Sequence, residues 1–228
     1  MFAACHLFIG LILGVAIAAR LGDRRIIGFA ALGGILPDLI DKPVGHILLA
    51  GSLNSGRIVA HGLLFLILLS IAGIALWRWR GSFALLAVAA GVASHQILDT
   101  MWASPVAWYF PLLGPYVPGE FTNYFGNAIL AEISSLSEWI FLFASIGITL
   151  AAGYTFGRDL SGLGRTLIRM AVPLLAGLIL ASLYAWAVGS SGSILMAGAR
   201  PGSYLVLAAA GFAGVVVIVR HRNFLGAG

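Results

Sequence analysis

The chain has 228 residues, 61% of them hydrophobic and 9% charged, with 30 glycines, a formal net charge of +5 and a mean hydropathy of +1.03. A soluble domain carries about 25% charged residues, so this composition excludes one. It excludes an outer-membrane barrel as well, because the apolar residues run in stretches of about 20 instead of alternating in segments of about ten. The expectation is an all-α polytopic transmembrane helix bundle, one integral membrane domain over residues 1–228. Basic charge in such a chain marks the cytoplasmic face and does not call for nucleic acid. Cys5 is the single cysteine, which leaves no partner for a disulfide and no thiolate set for zinc.

In chain order the pattern predicts about seven spans. Helix one covers about Phe2 to Ala19, a retained segment without a basic leader, with His6, Gly10 and Gly14 on one face. Helix two runs from about Ile26 and stops at Leu36, since Pro37 removes a backbone donor; its continuation through His46 to Ala50 makes it a broken helix. Helix three is predicted from Arg57 to Trp77 with His61 in its first turns, and helix four from Phe83 to Asp99, where His95 and Asp99 share a face. Residues 100–127 hold eight aromatics and four prolines and no basic side chain, which reads as an interfacial aromatic cap. Helices five (Ala128–Tyr154), six (Thr166–Val188, kinked at Pro173) and seven (Ser203–Val219) supply further spans over 128–220.

Seven spans sort the thirteen Lys and Arg residues unevenly between the two sets of loops. Arg20, Arg24, Arg25, Arg78, Arg80, Arg158, Arg165, Arg169, Arg220 and Arg222 fall on one side, and only Lys42, Arg57 and Arg200 on the other. The positive-inside rule then predicts an outside N-terminus and a cytoplasmic C-terminus. His6, Asp38, Asp41, His46, His61, His95, Asp99, Glu120, Glu132 and Glu138 all map to the non-cytoplasmic side. Acids at membrane depth are expensive unless something pairs with them. Their convergence from five helices is the main functional signal.

Imidazole and carboxylate donors without thiolates suit zinc, manganese or iron, and with more oxygen magnesium, zinc or manganese being the expected metal. His6, Asp38, His61, His95 and Asp99 are the predicted ligands of one or two divalent metal ions. Asp41 or Glu138 supplies a further ligand or general base, and Arg57, one turn before His61, holds a phosphate. A competing structural reading lets Asp38 and Asp99 cap helices or pair with Lys42 and Arg57.

The motifs His6-x-x-x-Gly10, Leu36-Pro37-Asp38, Arg57 ahead of His61, and His95-x-x-x-Asp99 resemble the membrane-bound metal-dependent hydrolases, including the LexA-regulated inner-membrane members. The likeness covers about residues 1–115. It departs from the Pro-Asp-x-Asp of many members, because here the second acid, Asp41, comes one residue later. There is also a faint similarity to zinc-dependent phospholipases C. The resemblance implies an enzyme of the cytoplasmic (inner) membrane. The expected reaction is hydrolysis of a phosphoester or lipid-like substrate at the extracytoplasmic face through a metal-activated water. Membrane lipid is the expected partner, with a small molecule or a lipid as substrate. The alternative is an ion- or proton-coupled transporter using the same acidic/His cluster. Against it, no internal repeat is visible and the polar residues stop in one leaflet.

Overall fold

The computed structural model describes residues 3–152 and 160–226; Tyr154, Arg158 and Asp159 lie outside the described residues. Apolar backbone in a bilayer has no water to bond with, so its N–H and C=O groups must pair within helices. The described residues accordingly form helices joined by turns and short irregular segments. They are α1 (Ala3–Leu21), α2 (Arg25–Pro43), α3 (Leu63–Arg80), α4 (Ala84–Leu98), α5 (Pro105–Trp108), α6 (Tyr124–Ile133), α7 (Leu136–Ala151), α8 (Ser161–Ala187) and α9 (Pro201–Arg220). A π-helical turn at Val44–Leu48 follows α2, and a 3-10 turn at Met101–Ala103 follows α4. The central helix is α1, which packs against α2, α4, α7 and α9; α8 lies against α7 and α9, and α3 packs on α4.

The seven predicted spans are not all supported. By length and composition α1, α3, α8 and α9 can cross a membrane, and α6 with α7 adds a fifth if that pair, bent by 76°, is one span. Within its 19 residues α2 carries Arg25, Asp38, Asp41 and Lys42, and α4 is only 15 residues long.

Three boundaries are corrected. The helix does not break at Pro37: α2 continues to Pro43. Flanking helices hold it on both sides, and His95 Nδ1 bonds the Gly34 carbonyl at 2.7 Å in the turn before the proline, tying that turn to α4. The third helix starts at Leu63 and not at Arg57, because the backbone N–H groups of 58–61 bond the Asp41 carboxylate. The fifth divides at Ser134–Ser135, since Ser135 is extended and the N–H groups of Leu136 and Ser137 bond the carbonyls of Ile194 and Leu195.

Lipid offers no hydrophobic drive for helices to associate, so close packing must hold them together. A Cβ on Gly10 would sit 2.7 Å from the Ala30 carbonyl oxygen and one on Gly34 2.6 Å from that of His6, closing α1 onto α2. Gly33 and Gly91 meet the backbone of Val88 and Ala30 in the same way, closing α2 onto α4. The three helices that carry His6, Asp38, Asp41 and His95, with Asp99 at a C-cap, are thereby drawn to backbone contact. Gly33→Leu is expected to lower the thermal-unfolding midpoint in detergent by the equivalent of about 1–3 kcal/mol or more. Gly28→Ala, whose Cβ meets nothing within 4 Å, should leave the midpoint unchanged or raise it. Equal effects of the two would contradict the packing argument.

Candidate metal centre

Antiparallel neighbours bring alternate helix ends to one side. His6 comes from the first turns of α1, Asp38 and Asp41 from the last turns of α2, and His61 from the segment before α3. His95 lies in the last turn of α4, and Asp99 is that helix's C-cap. At the opposite end Arg24 donates to the carbonyls of Ala152 (3.0 Å) and Phe224 (2.9 Å), tying α7 to the chain after α9. Basic residues at helix C-termini meet the negative end of the helix dipole.

The most densely bonded group at the site is Asp41, 1% exposed. Its Oδ1 accepts the backbone N–H of Val59 (3.1 Å) and Ala60 (3.0 Å), and its Oδ2 those of Ile58 and His61 (both 3.0 Å). Oδ2 also receives His61 Nδ1 at 2.8 Å. Successive backbone N–H groups turned inward form a concave anion site, here filled by a carboxylate from the neighbouring helix. Asp41 therefore shapes the segment and orients His61 in one step.

The histidine tautomers follow. A carboxylate and a carbonyl can only accept, so His61 Nδ1 gives its proton to Asp41 and His95 Nδ1 gives its proton to Gly34 O (2.7 Å). Each Nε2 is left with a lone pair, and the two Nε2 atoms face each other at 3.1 Å. Two lone pairs at that distance repel unless a proton or a cation lies between them. Outer partners that fix the tautomer of a ligating histidine are a regular feature of metal sites.

Carboxylates close the group. Asp38 Oδ1 stands 3.5 Å from His61 Nε2 and 3.7 Å from His95 Nε2; Asp99 Oδ2 stands 3.8 Å and 4.0 Å from the same atoms. Donors about 2.0–2.2 Å from a tetrahedral ion are separated by roughly 3.3–3.6 Å, close to these spacings. His6 stacks on His95 with ring centroids 3.8 Å apart and places Nε2 3.2 Å from Asp99 Oδ1. Two donor groups result, His6/Asp38/His95 and His61/His95/Asp99, each with its donor atoms within 4.8 Å of one another and with His95 in common. Outward, Asp38 Oδ2 accepts Lys42 Nζ at 2.6 Å and Asp99 Oδ2 accepts Arg57 Nη2 at 3.1 Å.

These groups border a cleft of about 550 Å³ whose walls include Asp38, Lys42, Arg57, His61, Asp99 and Glu132. Arg57 is 40% exposed and also bonds Ser104 Oγ at 3.3 Å. Neither Asp41 nor Glu138 lines the cleft. Glu138 instead accepts the N–H of Cys5 at 3.0 Å, a carboxyl oxygen at the positive end of α1, and so holds the turn that carries His6.

The chain belongs to the YdjM inner membrane protein family. That family's description matches residues 1–189, five-sixths of the chain, and extends the likeness drawn from the motifs of the first 115. No curated protein and no solved structure matches. This YdjM-family chain is thus an inner membrane protein with a buried His/Asp cluster suited to a metal.

Two supporting residues escaped the sequence reading. Gln96 Nε2 donates to the carbonyls of Ala60 (3.3 Å) and Gly62 (3.1 Å), and its Oε1 accepts Trp108 Nε1 at 3.1 Å. An amide in an otherwise apolar helix, beside His95, was the available signal. Tyr116 donates to the Ile58 carbonyl; burial pushes its phenol up to about 12, so it remains a neutral donor. Both pin the segment that Asp41 organises. Asp41→Asn is expected to destabilise chelator-treated protein by about 1–3 kcal/mol for each backbone donor left unpaired, read as a lowered unfolding midpoint. An unchanged midpoint would remove Asp41 from this role.

Proposed function

We propose that this chain is a metal-dependent hydrolase of the inner membrane, acting on a phosphoester or lipid-like substrate at the extracytoplasmic face. The observation that carries the reading is the pair of His61 and His95 Nε2 lone pairs turned toward one point, 3.1 Å apart, with Asp38 and Asp99 beside them. Nitrogen and oxygen donors without sulfur favour zinc or manganese, and because His95 has only Nε2 left to ligate, the two groups that share it are alternative seats for one ion. A divalent cation held there supplies Lewis acidity and acidifies water.

The side chains divide the remaining work. His61, His95, Asp38, Asp99 and His6 hold the ion. Asp41 and the Gly34 carbonyl keep the two imidazoles in the ligating tautomer, and Glu138 positions His6 through the start of α1. Arg57 reaches the cleft with a planar fork suited to phosphoryl oxygens, and Lys42 balances Asp38. Glu132 is the carboxylate beside the cleft that is free of the donor groups, placed to take a proton from water. The orientation rests on the positive-inside rule applied to the described basic residues at the end opposite the site, Arg20, Arg24, Arg25, Arg78, Arg80, Arg165, Arg169, Arg220 and Arg222. The buried acids and histidines among the described residues, His6, Asp41, His61, His95 and Glu138, all belong to the site's end, which favours this reading over a transport path.

Purified protein should carry about one equivalent of zinc or manganese by elemental analysis, and His61→Ala or Asp99→Ala should lose it. Chelation should lower the unfolding midpoint, and metal at a hundredfold excess over Kd should restore about 2.7 kcal/mol. Arg57→Ala should retain metal while phosphoester hydrolysis falls by about 10²-fold or more. Protein free of metal, with a midpoint indifferent to chelator and to His61→Ala, would refute the proposal.

A further inference from the structure

A second cavity adjoins the cleft. It has a volume of about 480 Å³ and is walled by Leu7 of α1, Ile35 and Leu39 of α2, Phe125 of α6 and Leu142 of α7. Its polar wall residues are Asp38, Lys42 and Glu132, all three of which also border the cleft. The 76° bend between α6 and α7 leaves this side of α2 without a close helical neighbour, and Leu39 is 57% exposed there. The cavity extends along α2 from Ile35 to Pro43, about 12 Å at 1.5 Å per residue. Its charged residues on α2, Asp38 and Lys42, lie toward the site's end, and Ile35, Leu7 and Leu142 lie toward the middle of the bundle.

We infer that this groove receives an acyl chain of a membrane phospholipid whose phosphate lies in the adjoining cleft, within reach of Lys42 and Arg57. The inference rests on the hydrolase reading for the fate of the phosphate, but the groove itself is defined by its own walls. Three features select this occupant. The two cavities share a boundary, so one molecule spans both. The polarity along the groove, charged near the membrane surface and apolar below, matches that of a phospholipid lying along its neighbours. Leu39, 57% exposed, leaves an apolar wall residue open to the outside of the bundle, and in a membrane protein such an opening admits a lipid chain sideways. Lys42 at the boundary and Arg57 farther into the cleft suit a phosphate, and the apolar walls with few polar groups suit a hydrocarbon.

The test uses the full chain in nanodiscs of phosphatidylglycerol and phosphatidylethanolamine, doped with a phospholipid bearing a diazirine in its acyl chain. After illumination, adducts are mapped by peptide mass spectrometry. Labelling should concentrate on the peptides containing Leu7, Ile35 and Leu142 over the outward face of α3 around Leu68 and Ile71, which serves as the bulk-lipid reference. Leu142→Trp, which fills the groove, should cut that labelling about tenfold, with metal content as the check on folding; Leu142→Ala should retain it. Labelling equal to the α3 reference, or unaffected by Leu142→Trp in metal-replete protein, overturns the groove. Labelling by a diazirine-bearing polyprenyl phosphate, with none by the phospholipid, overturns the acyl assignment. Hydrolysis of a water-soluble aryl phosphodiester without groove labelling removes the groove and keeps the hydrolase. Groove labelling in protein that hydrolyses no phosphoester keeps the groove and removes the hydrolase.

Discussion

The carboxylate of Asp41 and the five hydrogen bonds it accepts set the conditions for everything around it. An unpaired carboxylate at 1% exposure in a membrane protein costs several kcal/mol. Here the cost is offset by backbone donors that a helix extending back to Arg57 would have committed to its own ladder. The result is a segment from 57 to 62 that is irregular because an acid on another helix needs its N–H groups. That segment presents His61 toward His95, and Arg57 toward Asp99. Gln96 and Tyr116 then secure the same segment through its carbonyls, so donors and acceptors of one short stretch are both satisfied by tertiary partners.

Two descriptions of Asp38 and Asp99 that compete in the sequence coexist in the structure. Each was a metal ligand in one reading and the partner of Lys42 or Arg57 in the other. A carboxylate has two oxygens, and Asp38 uses Oδ2 for Lys42 while turning Oδ1 to the histidine pair. Asp99 sets Oδ1 near His6 and shares Oδ2 between Arg57 and the histidines. The outward cations stabilise the two anions in the absence of an ion without occupying all their donor atoms.

Much of this was legible because membrane helices alternate direction. Hydropathy located α1, α4 and α9 to within about two residues, and charge counting sent the ends carrying His6, Asp38, His61, His95 and Asp99 to one side before any contact was known. What the pattern concealed depended on partners distant in sequence. Pro37 reads as a stop when α2 is considered alone, yet α1 and α4 keep the helix going. The 128–154 stretch reads as one helix, but the loop carrying Ile194 and Leu195 takes the first N–H groups of α7 and divides it. The start of α3 was missed for the same reason, since nothing local to 57–62 announces that Asp41 will claim its backbone. The family match over 1–189 identifies the kind of protein but says nothing of these contacts.

Charge counting within the site links the metal to the substrate. The donor set of three neutral imidazoles and two carboxylates carries −2, and Lys42 and Arg57 return +2 to its outer edge. Asp41 sits behind, its charge compensated by backbone dipoles and the His61 N–H. A divalent cation entering the donors in the proposed reading neutralises the carboxylates a second time, which leaves Lys42 and Arg57 in excess at the edge of the cleft. With Glu132 on the cleft wall the site without the cation carries −1 and the site with it +1, so in the proposed reading only the loaded site attracts an anion. In the proposed reading phosphate binding would be coupled to ion binding through Asp38 and Asp99, the carboxylates near both the histidines and the basic residues, and such coupling is reciprocal. An anion in the cleft would in turn tighten the ion. The same Asp38–Lys42 pair forms the boundary with the apolar groove, so the place where this coupling acts is also where a phospholipid's phosphate meets its hydrocarbon.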